Sequence, residues 1–305
     1  MLITIIGCGA LGGLISAHLI NKNFRIQVLQ REGAQLDALI NNGLSFIDQK
    51  EASHVYQFPV ISSNSSDLSP SDLVIITVKA HQTNQILNIR YLLKPNGILL
   101  SLQNGLGNIE TISNQLPDKQ IAVGIGTYGA YKVKPGVIAW GGDGQIILGA
   151  LNKQIDIGWI HDLFQKADFK TRIVKDPKKY IWRKLAMNAM LNPITALTGF
   201  KNGMLIEHEP IKELMNHIGK ETVIAAGRAG VSLDFDDIWS SLEKGIQATA
   251  VNKSSMLQDI ENGIETEIDS ISGKILQYAK HEGEFPYTRS VYNLVKSIED
   301  QNLKL

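Results

Sequence analysis

The stretch "ITIIGCGALGG", Ile3–Gly13, decides how the rest of the chain is read. The apolar, isoleucine-rich run from Leu2 to Ile6 suits a strand buried on both faces. Gly7, Gly9 and Gly12 follow in G-x-G-x-x-G spacing, and Leu14–Asn21 reads as a helix. The order strand, glycine loop, helix gives this short pattern its meaning. Gly7 allows the tight turn, Gly9 lets backbone approach a pyrophosphate, and Gly12 lets the helix pack on the strand. Cys8, Ala10 and Leu11 complete a cofactor-binding loop whose helix N-terminus offers free N–H groups and partial positive charge to phosphates. The plainer alternative is a turn that needs small residues and binds nothing; the flanking context argues against it. Cys8 reads as a small packing residue rather than a reactive thiol, since only the helix end would lower its pKa.

An NAD site expects an acidic residue about 20 positions further on, at the end of the second strand. Here the candidate strand Arg25–Leu29 leads into Gln30 and Arg31, with Glu32 one place later. A carboxylate would repel a 2′-phosphate, whereas an arginine grips it with a bidentate fork. The sequence therefore favours NADP(H), with Arg31 reading the phosphate. The alternative for Arg31 is a solvated surface side chain.

Working outward, Leu73–Val78 reads as a buried strand, Thr83–Leu93 as a helix and Pro95–Gly97 as a turn. Ile98–Leu102 is the next strand, ending at Gln103-Asn104-Gly105, and Ile121–Tyr128 another. Strands alternating with helical segments predict a parallel α/β sheet. Gly136–Trp140 and Gln145–Gly149 flank four turn residues and predict an antiparallel hairpin, and Thr171–Val174 an edge strand. After Asp176-Pro177 the texture is helical. The expected class is α/β: an N-terminal Rossmann-type doubly wound sheet over 1–174, then an all-helical domain over 175–305.

The 305 residues lie where one core tends to split into two. Thirty Lys and Arg balance thirty Asp and Glu, so no global field attracts nucleic acid or an anionic membrane. The single cysteine excludes an intramolecular disulfide and any multi-cysteine metal site. No histidine pair has H-E-x-x-H spacing, so no metal is expected. His18 in the first helix reads as a packing or surface residue. Lys22 is the first charged residue, but no basic segment precedes the apolar run and its glycines weaken a hydrophobic helix. No targeting signal is therefore expected, and a reducing cytoplasm fits best. Amphipathic helices in the second half fit a homodimer and a monomer equally.

Two polar sets stand out in that half. Lys184, Asn188 and Asn192 are spaced i, i+4, i+8 and line one helix face amid apolar neighbours. The spacing alone leaves open a solvated stripe. Further on come Ser254, Ser255, Glu265, Glu267 and Asp269, with Ser255 and Glu267 twelve residues apart. Taken alone, most of these would be surface charges.

The motifs "GCGALG" from Gly7, "TVKAHQ" from Thr77, "QNGLG" from Gln103, "WRKLAMNAMLNPITAL" from Trp182, "SSMLQDI" from Ser254 and "TEID" from Thr266 occur in this order. In them the chain resembles the ketopantoate reductases over nearly its whole length, the last three being more specific than the glycine loop. The resemblance implies reduction of ketopantoate to D-pantoate with NADPH, on the way to pantothenate and coenzyme A. It implies a Rossmann domain followed by a helical one, with the active site in the cleft between them. Carried over by motif, Lys184 would be the general acid and Glu267 would hydrogen-bond a substrate hydroxyl. Asn188, Asn192 and Ser255 would hold the substrate, Lys79 and Asn104 would lie against cofactor and substrate, and Arg31 would meet the 2′-phosphate. Two rivals remain: an NAD(P)H-dependent reductase of another 2-keto acid, making a D-2-hydroxy acid, and a non-catalytic NADP-binding protein. A 3-hydroxyacid dehydrogenase of similar plan is a third; the "TEID" segment argues against it.

Overall fold

The structure is a computed structural model and describes residues 1–86, 89–117, 120–152 and 154–302. The chain divides into two compact units. The first comprises Met1–Gln103 and Asn108–Pro177; the second comprises Asn104–Gly107 and the chain from Lys178 onward.

The first unit begins with β1 (Leu2–Ile6), α1 (Ala10–Asn21), β2 (Arg25–Leu29) and α2 (Ala34–Asn42). Then come β3 (Leu44–Ile47), β4 (Ser53–Tyr56), β5 (Val60–Ser62), β6 (Ser71–Ile76) and β7 (Leu93–Ser101). It continues through α3 (Asn108–Ser113), β8 (Ile121–Gly126), β9 (Gly129–Lys134), β10 (Val137–Gly142), β11 (Ile146–Ala150), α4 (Gly158–Lys166) and β12 (Thr171–Ile173). Eight strands form the main sheet in the order β12-β11-β8-β7-β6-β1-β2-β5, parallel except where β11 meets β8. From β5 to β8 this is the doubly wound order, with the reversal between β1 and β6. Its strands are buried on both faces: Ile3, Ile5, Leu73 and Ile75 feed one core, Ile6, Val74, Ile76 and Leu99 another. That explains apolar runs without alternation.

A second sheet, β4-β3-β10-β9, packs on α1. The expected hairpin of Gly136–Trp140 with Gln145–Gly149 does not form. β10 pairs antiparallel with β9, whereas β11 pairs with β8 in the main sheet. The turn that closes is Pro135-Gly136, with Gly136 at φ +77°. Gly142 at φ +146°, with Gly144, carries the chain from one sheet to the other; a Cβ on Gly144 would lie 2.3 Å from the Tyr128 nitrogen. The helix expected over Thr83–Leu93 is instead two 3-10 turns, Ala80–Gln85 and Ile89–Leu92, with residues 87–88 outside the described ones. Buried Thr83 gives its hydroxyl to Asn108 Oδ1 and accepts from Gln103 Nε2, a local alternative to a longer helix.

The second unit is helical: α5 (Lys178–Thr198), α6 (Glu209–Arg228), α7 (Phe235–Ala248), α8 (Ser255–Glu261), α9 (Lys274–Leu276) and α10 (Pro286–Asn302). α5 packs against α6, α7, α8 and α10, which bury its Trp182, Leu185, Ala189, Met190 and Ile194. A π-helical turn spans Asp269–Gly273. Among the described residues no helix is long and apolar enough to cross a membrane.

Candidate functional site

The glycine loop leaves β1 beside β6, at the reversal of the main sheet, where doubly wound folds form their ligand crevice. Gly7 has φ +90°, and a Cβ there would lie 2.5 Å from Val78 Cγ1. A Cβ on Gly12 would lie 2.0 Å from the Gly7 carbonyl oxygen, so helix and loop touch as the spacing implied. Above Gly9 the situation is reversed: a Cβ would meet nothing within 4 Å. The fold itself does not need a glycine there, but a phosphate approaching the backbone would. The first turn of α1, which starts at Ala10 and Leu11, carries no acidic side chain. Open space, unopposed N–H groups and a positive helix end fit a dinucleotide pyrophosphate.

Three side chains that the sequence reading passed over hold this loop. Thr77 donates its hydroxyl to the Gly7 carbonyl (2.6 Å). Gln30 Oε1 accepts the Cys8 N–H (2.8 Å), and Gln35 Nε2 donates to the Cys8 carbonyl (2.7 Å). Gln30 stands where an NAD site would carry its carboxylate, and it is turned inward onto the loop. Arg31, next along, is exposed. Lys79 is half-buried at the start of a 3-10 turn, and the neighbouring Val78 carbonyl accepts from Gln103 Nε2 (3.1 Å). Burial pushes the Cys8 thiol up to about 12, so it is an inert packing group. His18 also packs: its ring lies against Phe46, Trp140 and Phe169, Nδ1 is 3.0 Å from the Ala167 carbonyl, and burial lowers its pKa.

Asn104, Lys184, Asn188, Asn192, Ser255 and Glu267 all belong to the second unit, whereas the glycine loop, Arg31 and Lys79 belong to the first. Lys184, Asn188 and Asn192 share one face of α5. Asn192 is buried and the other two half-buried, so the stripe is not a solvated one. Burial pushes the Lys184 amine down to about 8, with the nearby Glu267 carboxylate pulling it back up. Asn104 Nδ2 donates to Glu267 Oε2 at 3.0 Å. Two side chains from distant stretches thus meet, and the charge of one acts on Lys184.

The π-turn brings Asn104 there. Its Ser270 carbonyl accepts the Leu106 N–H (2.9 Å), which docks the 104–107 segment onto it. Gly105, at φ +80°, is required at that contact: a Cβ would lie 2.5 Å from Ser270 Oγ and 2.7 Å from its carbonyl oxygen. Ser255 is exposed at the first position of α8. Its neighbour Ser254 is the buried one, capping α8 by accepting the Leu257 N–H (3.1 Å) and lying 2.6 Å from the Thr195 hydroxyl on α5.

A glycine loop at the switch point of a doubly wound sheet, in a chain that also buries an amine beside a carboxylate, defines a nicotinamide-dependent oxidoreductase. Two family models match: "Ketopantoate reductase PanE/ApbA" over residues 3–153 and its C-terminal counterpart over 176–299. The 2-dehydropantoate 2-reductase of Pyrococcus horikoshii is 32% identical over 302 residues, covering 98% of each chain. The crystal structure of 2-dehydropantoate 2-reductase from Geobacter metallireducens superposes with a TM-score of 0.88 at 25% identity, over 97% of this chain and 99% of that one. D-mandelate dehydrogenase, solved with NADH and anilino(oxo)acetate, shares the fold with a TM-score of 0.94 at 23% identity, over 99% of both chains. The chain belongs to the ketopantoate reductase family.

Proposed function

We propose that this protein reduces 2-dehydropantoate to D-pantoate with NADPH. The carrying observation is the Lys184 amine, buried and set against Glu267, in a chain of this family. When bound, the nicotinamide supplies the hydride. Hydride addition leaves negative charge on the former carbonyl oxygen, and Lys184 Nζ delivers the proton that neutralises it. An ammonium with a pKa of about 8 is still mostly charged at neutral pH, yet it releases its proton more readily than a solvated lysine. Glu267, held by Asn104, accepts a hydrogen bond from the substrate hydroxyl. Asn104, Asn188, Asn192 and Ser255 offer neutral donors to the substrate without altering the charge around the lysine.

In this reading residues 1–174 bind NADPH and residues 175–305 carry substrate and proton. Gly7, Cys8, Gly9, Ala10, Leu11 and Gly12 take the pyrophosphate, Arg31 the 2′-phosphate, and Lys79 lies against the cofactor. The reaction belongs to the supply of pantothenate and coenzyme A, in the cytoplasm. The test is NADPH and NADH oxidation by the pure protein with 2-dehydropantoate, phenylglyoxylate and simple branched 2-keto acids. The expected result is a kcat/KM for 2-dehydropantoate with NADPH at least about tenfold above every other pairing. A preference for a branched keto acid without a hydroxyl would transfer the chain to the other 2-keto acid reductases.

A further inference from the structure

The segment that carries Glu267 is held from one side by the C-terminal helix. Glu299 on α10 is buried and accepts the Thr266 N–H at 2.6 Å, one residue before Glu267. Lys296, one turn earlier, contacts Glu299 Oε2 at 2.8 Å and Asp269 Oδ2 at 3.1 Å, two residues after Glu267. Tyr292, a further turn back, donates its hydroxyl to Asp269 Oδ1 at 2.7 Å. These three residues follow the i, i+4, i+7 positions of one helix face. α10 is itself anchored at its start, where buried Glu221 of α6 accepts the Tyr287 and Thr288 N–H groups at 3.1 and 2.8 Å.

The backbone of Glu267 is fixed at the same time. Its carbonyl accepts the N–H groups of Ser270 (3.1 Å) and Ile271 (3.0 Å) and the Ser270 hydroxyl (3.0 Å). The π-turn begins two residues later; such turns cost regular helix geometry and recur where a side chain must be aimed. The carboxylate therefore projects from a short stretch pinned at residues 266, 267 and 269. An apolar residue at 299 would leave the buried Thr266 N–H, one residue before Glu267, without this acceptor.

We propose that Glu299 and Lys296 are positioning residues that aim the Glu267 carboxylate at the substrate hydroxyl. They touch neither substrate nor cofactor and act through Glu267. The proposal rests on the reading of Glu267 as the hydroxyl's partner, and it adds a source for that side chain's geometry. A charge-neutral α10 face would still complete the helical core but would let Thr266–Asp269 relax.

The experiment uses the full-length enzyme with Glu299→Ala, Glu299→Gln, Lys296→Met, Lys296→Arg, Glu267→Ala and the double variant Glu267→Ala/Glu299→Ala. KM for 2-dehydropantoate, KM for NADPH, kcat and thermal midpoint are measured for each. Glu299→Ala and Lys296→Met should raise the 2-dehydropantoate KM about fivefold, the loss of roughly one hydrogen bond's worth of orientation, with kcat and the NADPH KM near their starting values. Glu299→Gln, which keeps an acceptor for Thr266, and Lys296→Arg should recover much of that. In the Glu267→Ala background the Glu299→Ala change should add less than about twofold, because the group being aimed is gone. If Glu267→Ala raises KM while the Glu299 and Lys296 variants only shift the thermal midpoint, the positioning role is overturned and the reading of Glu267 stands. A KM rise that persists undiminished in the Glu267→Ala background overturns it as well. If Glu267→Ala leaves KM unmoved, the reading of Glu267 falls and the positioning role falls with it. Should Glu299→Ala fail to fold, the Glu299→Gln and Lys296→Met pair decides.

Discussion

At the scale of the residue, the proposed proton transfer rests on Lys184. Its amine is caught between two opposed effects, burial that disfavours the charge and a carboxylate that favours it, and burial is the larger. Only the charged form can donate a proton to the reduced substrate. The kcat/KM for keto acid reduction should therefore be level at lower pH and fall as pH rises through about 8, while the reverse oxidation, which needs the neutral amine, rises through the same range. Glu267→Gln removes the group that raises the lysine's pKa, so the descending limb should move to lower pH. Paired pH–rate profiles check both; a limb that moves upward would contradict the assigned sign. The residue types here were legible in sequence, but their meeting was not. Asn104 and Glu267 are 163 positions apart, and no spacing rule links them. The buried Ser254 and the exposed Ser255 are indistinguishable by type, and only the cap geometry separates them.

At the scale of the element, the β1–loop–α1 unit separates what the fold needs from what a ligand needs. Gly12→Ala pushes a methyl into the Gly7 carbonyl and should cost about 1–3 kcal/mol in urea unfolding. Gly9→Ala meets open space, so stability should stay within about 0.5 kcal/mol while NADPH affinity, followed by fluorescence titration, drops at least about tenfold. Equal stability losses in the two variants would mean that the space above Gly9 is not a phosphate site. Strand positions in the main sheet could be read from composition because both faces are buried. The small sheet could not. Its strands are short and half-exposed, β3 and β10 pair in parallel from distant parts of the chain, and the glycines at 141, 142 and 144 signal a turn without saying between which sheets. Nor could the loop's supports. Gln30 and Gln35 look like surface glutamines until the fold brings both to Cys8.

At the scale of the whole molecule, the chain contributes to its helical unit twice, once through the four residues 104–107 and again from Lys178. The first contribution was invisible to a linear reading, which assigns everything before the helical texture to one domain. It matters because those four residues bring Asn104 to Glu267. The proposed division of labour gives NADPH binding to the sheet unit and the proton to the helical unit. The measurement that tests it most directly is turnover of Lys184→Ala at saturating NADPH and 2-dehydropantoate, with NADPH binding titrated on the same preparation. The expected result is undiminished NADPH affinity with kcat reduced by on the order of 10² or more. Turnover within a few-fold of the unaltered enzyme would contradict the assignment of the proton to Lys184.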